Sequence, residues 1–330
     1  MADAVMGALQ SASDDSFKRR RMGRLRAADL VFNWVTFAAA LTVLILLGGV
    51  IVSLIHGSLP AFQAFGFDFL TTQRWNPVTE KFGALAPIYG TVVTSIIALL
   101  IAVPVGLGIA IFLTELCPPW LKRPIGVAIE LLAGIPSIIY GIWGLFVFAP
   151  FFQATVQPAL IDLFGNVPVL SEVFAGPPYG IGVLTAGIIL AIMVLPFITS
   201  IARDVFDTVP PVLKEATYGL GCTTGEVVTK VVLPYSRVGV IGGVMLGLGR
   251  ALGETMAVTF VIGNAHKISA SILAPGTTIS ASIANEFTEA VGDLYTASLI
   301  ALGLILFVIT FIVLAAARIM LARMNTKAGN

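Results

Sequence analysis

Charge is scarce in this sequence: only 11% of its 330 residues are Asp, Glu, Lys or Arg, against 57% hydrophobic residues. With a mean hydropathy of +0.97, too few polar side chains remain to clothe a water-soluble domain of this size. Cysteine is nearly absent too. Cys117 and Cys222 stand alone, without the spacing of a thiolate metal site, a redox pair or a disulfide framework, and are expected to be reduced and structural. The two histidines, His56 and His266, are too far apart in sequence to suggest a chelating pair and are expected to be solvated, interfacial residues. No Gly-x-x-x-x-Gly-Lys-Ser/Thr run occurs, and no catalytic constellation is visible, so the chain is not expected to be an enzyme.

What fills the sequence is apolar runs. Hydrocarbon about 30 Å thick needs about 20 apolar residues in a helix rising 1.5 Å per residue. Six stretches qualify, at about 31–55, 86–113, 125–150, 181–203, 238–262 and 296–318. They are too long for membrane strands and lack in-out alternation, so the backbone must satisfy itself as helix. The expected fold is an all-α integral membrane protein with six transmembrane helices. The run from Val31 exceeds the core of a signal peptide and is read as a retained span.

Orientation follows from the basic residues. If the N-terminal segment is cytoplasmic, fifteen of the nineteen Lys and Arg fall on that side, from the cluster Lys18 to Arg26 through Lys122, Arg123, Arg203, Lys214, Lys230 and Arg237 to Arg318, Arg323 and Lys327. The other side holds Arg74, Lys81 and Lys267. This asymmetry predicts two cytoplasmic termini. The basic cluster is expected to orient the first helix and meet anionic lipid heads, and residues 1–17 to be disordered.

Between the fourth and fifth runs lies a polar island, Glu215-Ala-Thr-Tyr-Gly-Leu-Gly221 leading to Val231-Val-Leu-Pro234. Its punctuation predicts two short helices. Asp207 or Thr208 can cap the first, which the Pro210-Pro211 pair opens. Leu213, Ala216 or Thr217, and Leu220 share one face. Gly221 stops the helix by taking a positive φ, and Thr223-Thr-Gly-Glu226 is a capping box for a second helix expected to end before Pro234.

The helix that follows carries glycines at four-residue spacing, Gly239, Gly243 and Gly247, a ridge suited to close packing. Arg250 and Glu254 lie farther along the same apolar run at i, i+4 spacing. An ionised Arg in hydrocarbon is costly, so it must face a partner or an aqueous cavity. The two residues can form a structural ion pair or a cationic site for an anion whose charge Glu254 tempers; the readings can coexist. Pro87, Pro104, Pro136 and Pro196 are candidates to kink or break helices at depth, and Ser137 is a candidate pathway hydroxyl.

The Glu-Ala followed by Gly221 and a Leu-Pro pair resembles the loop by which permeases of ABC importers grip their ATPase. Thr217 stands where the common pattern has a second Ala, and Val231 where it has Ile. Gly249-Arg-Ala-Leu-Gly-Glu-Thr-Met-Ala-Val-Thr-Phe-Val-Ile-Gly-Asn264, with Glu130-Leu-Leu-Ala-Gly-Ile-Pro-Ser137 and its continuation to Phe146, is similar to the PstC family of phosphate-importer permeases.

The resemblance implies a type I ABC importer permease fold in the bacterial plasma membrane. It implies four organisational pieces: a basic segment at 1–30, a first span at 31–55, a permease core at 86–318 containing a coupling loop at 204–237, and a tail at 319–330. It makes Glu215, Ala216 and Gly221 the ATPase-coupling residues and Arg250, Glu254 and Ser137 the residues of substrate passage. Expected partners are a PstA-like permease, two PstB-like ATPase subunits and a PstS-like phosphate-binding protein. ATP and Mg would sit on the ATPase, and no metal or cofactor on this chain. Another oxyanion, such as sulfate or molybdate, is an alternative cargo; a stand-alone ion-coupled carrier would leave the polar island unexplained.

The outer loops, about 56–85, 152–180 and 263–295, are expected to hold short interfacial helices. Trp75, Phe62, Phe65 and Phe67 are expected to anchor the first to the membrane surface. Glu286, Glu289 and Asp293 are expected either to face solvent or to complement a basic partner.

Overall fold

The computed structural model describes the backbone of residues 2–168 and 170–328 and the side chains of residues 29–168 and 170–323. Side-chain roles expected for Lys18 to Arg26 and for Lys327 therefore fall outside the described residues. The chain forms two compact units, residues 1–56 and 57–330. The first is the body of helix α1 (Ala2–Phe65), which is helical from residue 2 where a disordered lead was expected. Ala, Met, Leu, Lys and Arg are good helix formers, and no proline intervenes before Pro60. Phe32, Trp34, Phe37 and Leu44 are exposed along it, as befits a lipid-facing helix.

The second unit is built on helices α2 (Leu85–Ile111), α3 (Pro119–Ala133), α4 (Ser137–Trp143), α5 (Val183–Asp207), α6 (Pro211–Gly219), α7 (Thr224–Val227), α8 (Leu233–Leu252), α9 (Met256–Val261), α10 (Ile279–Glu286) and α11 (Asp293–Ala328). Among the described residues six helices are long and apolar enough to cross a membrane, as expected for an all-α permease.

Small residues decide how the core closes. Gly90, Thr94, Ala98, Ala102, Gly106 and Ala110 form one buried stripe on α2, a helix that packs extensively on α5. A Cβ on Gly106 would sit 3.2 Å from Thr199 Oγ1, and Gly187 of α5 is filled by Ile97 in the same way. The glycine ridge of α8 meets the same helix: Gly239 abuts Val205, Gly243 abuts Ile201 and Gly247 abuts Ile198. Without a hydrophobic drive between helices in lipid, such close approach supplies the dispersion contact that holds them. The serine and threonine hydroxyls buried at the interface bond back to their own helix, as Thr94 does to the Gly90 carbonyl at 2.8 Å.

Two spans depart from their expected bounds. The third runs from Ser137 to Phe164, later at both ends than expected, because the chain breaks before it at Gly134–Pro136, where Pro136 has no N–H to donate and disfavours helical geometry at Ile135. Tyr140 Oη bridges the break by donating to the Leu132 carbonyl at 2.9 Å. Pro104 and Pro196 stay inside unbroken helices and Pro87 sits in the first turn of α2, so only Pro136 breaks an expected span. The fifth span begins at Thr224 and ends at Leu252, earlier at both ends than hydropathy suggested.

The end of the bundle where α2 and α5 begin is capped by an aromatic cluster. Phe62, Phe65, Phe69, Trp75, Phe82 and Tyr295 pack together, with Phe69 fully buried. The expected membrane anchors Trp75, Phe62 and Phe65 are thus half-buried against the core, and Phe67 alone of the four stays exposed. A short hairpin stem, pairing Asn76 with Lys81, closes the loop over them.

Candidate functional site

The polar island folds as two limbs joined at a glycine. Helix α6 starts at Pro211 with Pro210 as its cap, since a proline's missing N–H is harmless in the first turn. Neither expected side-chain cap acts there. Thr208 Oγ1 bonds back to the Val205 carbonyl at 2.6 Å, and Asp207 pairs with Lys122 at 3.3 Å. Gly221 takes φ +84° and turns the chain, as its sequence position suggested. The Cys222 N–H reaches back to the Thr217 carbonyl at 3.3 Å and so occupies one of the helix's terminal acceptors.

The second limb opens with a complete capping box. Thr223 Oγ1 accepts the Glu226 N–H at 3.4 Å, and Glu226 Oε2 accepts the Thr223 N–H at 3.0 Å. It does not end before Pro234. A π-helical turn, Val228–Val232, carries it straight into α8, because the wider turn lets the helix pass a proline with no N–H to give. The limb and the fifth span are therefore one helix from Thr224 to Leu252.

Burial separates the limbs. Val227 and Val232 of the second are fully buried with Phe206, Val209, Ala110 and Ala202. The first limb is outward: Val212 is 71% and Leu220 84% exposed, and Leu213, Glu215, Ala216 and Gly221 are exposed with them. Only Lys214 and Thr217 turn inward. The arrangement is an apolar surface held on an anchored arm.

At the far end of that arm, Arg250 projects from the last turn of α8, exposed and, among the described residues, with no ion-pair partner. Glu254 does not share its helix. The helix ends at Leu252, and Glu254 Oε1 instead accepts the Ala257 N–H of α9 at 3.3 Å. The i, i+4 ion pair is accordingly not formed, because the spacing that would align the two side chains requires continuous helix. Ser137 opens α4, half-buried, immediately after the Gly134–Pro136 break. The start of the third span meets α9, which follows the end of the fifth: a Cβ on Gly141 would press on Phe260 at 2.8 Å and on the Met256 carbonyl at 2.9 Å. Thus the Ser137 and Glu254 segments share one neighbourhood, while Arg250 faces outward from the chain.

Cavities among the described residues lie elsewhere, two of them beside α3. One of ≈ 400 Å³ is lined by Lys122, Arg123, Glu130, Arg203, Asp204 and Asp207 at the island end, where Arg203 pairs with Glu130 at 2.9 Å. The other, ≈ 340 Å³ and apolar, lies beside the Gly134–Pro136 break among Leu132, Ile135, Ile139, Tyr140, Trp143 and Ile192. Arg250, Glu254 and Ser137 line neither.

Sequence reasoning missed two polar clusters. Lys214 of α6 pairs with Glu115 at 2.6 Å, the carboxylate side chain only 6% exposed. Its signal was available, since Glu115 is the one charged residue between Lys81 and Lys122. At the opposite end Glu286 accepts from Trp75 Nε1 and from Tyr295 Oη, and lies 3.4 Å from His266 Nε2. His266 is thus largely buried rather than solvated, and burial pushes its pKa below the ordinary 6.5 despite the nearby carboxylate. Glu286 is likewise turned inward, leaving Glu289 and Asp293 on the surface.

Comparison with known proteins places this geometry. The family described as "Binding-protein-dependent transport system inner membrane component" matches residues 102–326. Curated relatives include the phosphate transport system permease protein PstC of Mesorhizobium japonicum, 68% identical over 98% of both chains. That of Pasteurella multocida is 58% identical over 91% of this chain and 94% of the relative. Among solved structures, a bacterial ABC transporter involved in the import of the acidic polysaccharide alginate shares the fold with a TM-score of 0.60 at 17% identity, over 89% of this chain and 97% of that one. An inward-facing MetNI methionine ABC transporter does so with a TM-score of 0.54 at 16% identity, over 72% and 94%. The chain belongs to the inner-membrane components of binding-protein-dependent transport systems, and within them to the PstC permeases.

Proposed function

We propose that this chain is the permease subunit through which inorganic phosphate crosses the bacterial plasma membrane, driven by ATP hydrolysed on separate subunits. The observation that carries the reading is the exposed apolar face of α6, joined through the Gly221 turn to a limb that is one helix with the Arg250 segment. A short amphipathic helix of this kind docks in a groove of a partner. Movement imposed there passes the Gly221 turn and then reaches Arg250 along the helix Thr224–Leu252. The names of the PstC relatives support phosphate as the cargo.

In this reading α6 and both termini are cytoplasmic, Glu215, Ala216 and Gly221 seat a PstB-like ATPase dimer, and a PstA-like permease completes the pathway. A PstS-like protein delivers phosphate at the opposite face. ATP and Mg stay on the ATPase, and this chain binds no cofactor of its own. Arg250 meets the anion, since its planar fork offers two parallel donors to phosphate oxygens. One guanidinium cannot balance a charge of one to two, so the partner permease supplies further positive charge. Glu254 and Ser137, brought near one another where the start of the third span meets α9, shape the passage beside it. Arg geometry suits other tetrahedral oxyanions as well, and sulfate or molybdate competition in vesicles separates them.

The test is reconstitution with the four partners. Arg250→Ala should abolish phosphate uptake while the complex still assembles, and Gly221→Asp should detach or uncouple the ATPase. Normal uptake by both variants sinks the assignment.

A further inference from the structure

The bracket has a second attachment to the bundle besides its continuity with α8. Lys214, on the inward side of α6, meets Glu115 in the π-helical turn Phe112–Leu116 that ends the second span, 2.6 Å across 99 residues of sequence. The two side chains are 18% and 6% exposed, and each is the other's only hydrogen-bonded partner among the described residues. The π turn is closed by the Cys117 N–H on the Phe112 carbonyl at 2.8 Å, a five-residue step that changes which way the side chains beyond it face.

From this geometry we propose that Lys214 and Glu115 are a force-transmitting pair that ties the inner end of the second span to α6, a positioning role for phosphate transport. The inference rests on the reading of α6 as the ATPase-docking helix. A carboxylate buried to this degree cannot part from its only cation without being left uncompensated in a poor solvent, so the pair stays closed when α6 shifts. An apolar contact at the same place would slide, whereas a short charged hydrogen bond fixes direction and length. The second span is the element most extensively packed on α5 and also touches α8. Displacing its end therefore moves the α2–α5 pair together with the Arg250 helix. The bracket thus has two outputs: α7–α8 by covalent continuity, and α2 by the ion pair. The π turns at Phe112–Leu116 and Val228–Val232 lie one on each line, where they can absorb changes of helix register.

The experiment uses the reconstituted complex and reads phosphate transported per ATP hydrolysed, with ATPase co-purification measured alongside. The apolar pair Glu115→Leu/Lys214→Met removes both charges and so avoids stranding one in the interior. It should keep the ATPase bound and lower transport per ATP by roughly tenfold, in the range of ordinary coupling between linked sites. The exchanged pair Glu115→Lys/Lys214→Glu should restore most of that ratio. A wild-type ratio in the apolar pair, or no recovery in the exchanged pair, overturns the proposal. So does loss of the ATPase from the apolar pair, which would make the contact a support for docking. Leu220→Asp, on the exposed face of α6, tests the underlying reading separately: an ATPase that still co-purifies with it refutes docking at α6 whatever the ion-pair variants do.

Discussion

The Trp75 indole lies flat on the His266 imidazole, ring centroids 5.1 Å apart and planes 6° from parallel. Three segments distant in sequence converge there, because Glu286 stands between both rings and Tyr295. The hairpin over the aromatic cap is fixed by this hub.

The hub predicts a pH dependence of stability. Burial holds the folded pKa of His266 below its ordinary 6.5, so the unfolded chain takes up a proton first as the pH falls. Its contribution is complete above about 6.5, where both states are neutral, and is lost as pH drops from there toward the folded pKa. Thermal unfolding of the purified chain in detergent should show a lower Tm at pH 5 than at pH 7.5. His266→Phe, which keeps the stack and removes the proton, should flatten that difference; an unchanged slope would show that other groups control it.

Removing the hub's acceptor should cost more. Glu286→Ala leaves the Trp75 N–H and Tyr295 O–H without their partner, a penalty of about 2 to 4 kcal/mol for two partly buried donors. Glu286→Gln keeps a carbonyl acceptor and should lose less. Equal unfolding midpoints for the two variants would mean that water replaces the carboxylate.

Close packing predicts a sharp contrast between two glycines. A Cβ on Gly90 would collide with the Thr277 carbonyl, whereas Gly242 has nothing within 4 Å. Gly90→Ala should destabilise by about 3 kcal/mol or more, because backbone must move to admit it. Gly242→Ala should unfold within a degree or two of wild type, on the scale of a few tenths of a kcal/mol. Similar Tm losses in both would argue against the observed approach of α2 to the Thr277 loop.

The Gly221 turn is constrained by its backbone alone, since a Cβ there would meet open space. With φ at +84°, Gly221→Ala should cost about 1–2 kcal/mol and Gly221→Asn less, because Asn tolerates left-handed geometry. ATPase co-purification and uptake should fall in the order wild type, Asn, Ala. Thr223→Ala, which breaks the neighbouring capping box, should lose about 0.5–2 kcal/mol of local stability. Retention of full coupling by Gly221→Ala would show that the bracket does not depend on this turn.

Signals that act over a few consecutive residues were legible in the sequence. Six apolar runs specify six helices because lipid leaves the backbone no other way to bond. Gly221 and the Thr223–Glu226 box specify the bracket through φ and two reciprocal bonds, and the spacing of Gly239, Gly243 and Gly247 specifies a packing face. Pro234 misled, because a π turn absorbs it; nothing local announces that the helix will widen instead of stopping.

Tertiary structure decided what each polar group does. The sequence alone set Arg250 and Glu254 four residues apart, but the helix end at Leu252 separates them. It placed His266 and Glu286 in outer loops, but Trp75 and Tyr295, up to 211 residues away from their partner, draw them into a buried hub. It showed a lone Glu115 near the end of a span, but only the fold supplies Lys214. Helix formation and capping depend on neighbours along the chain, so the sequence determined them. Whether a charge is paired, buried or left facing outward depends on which distant segment arrives beside it.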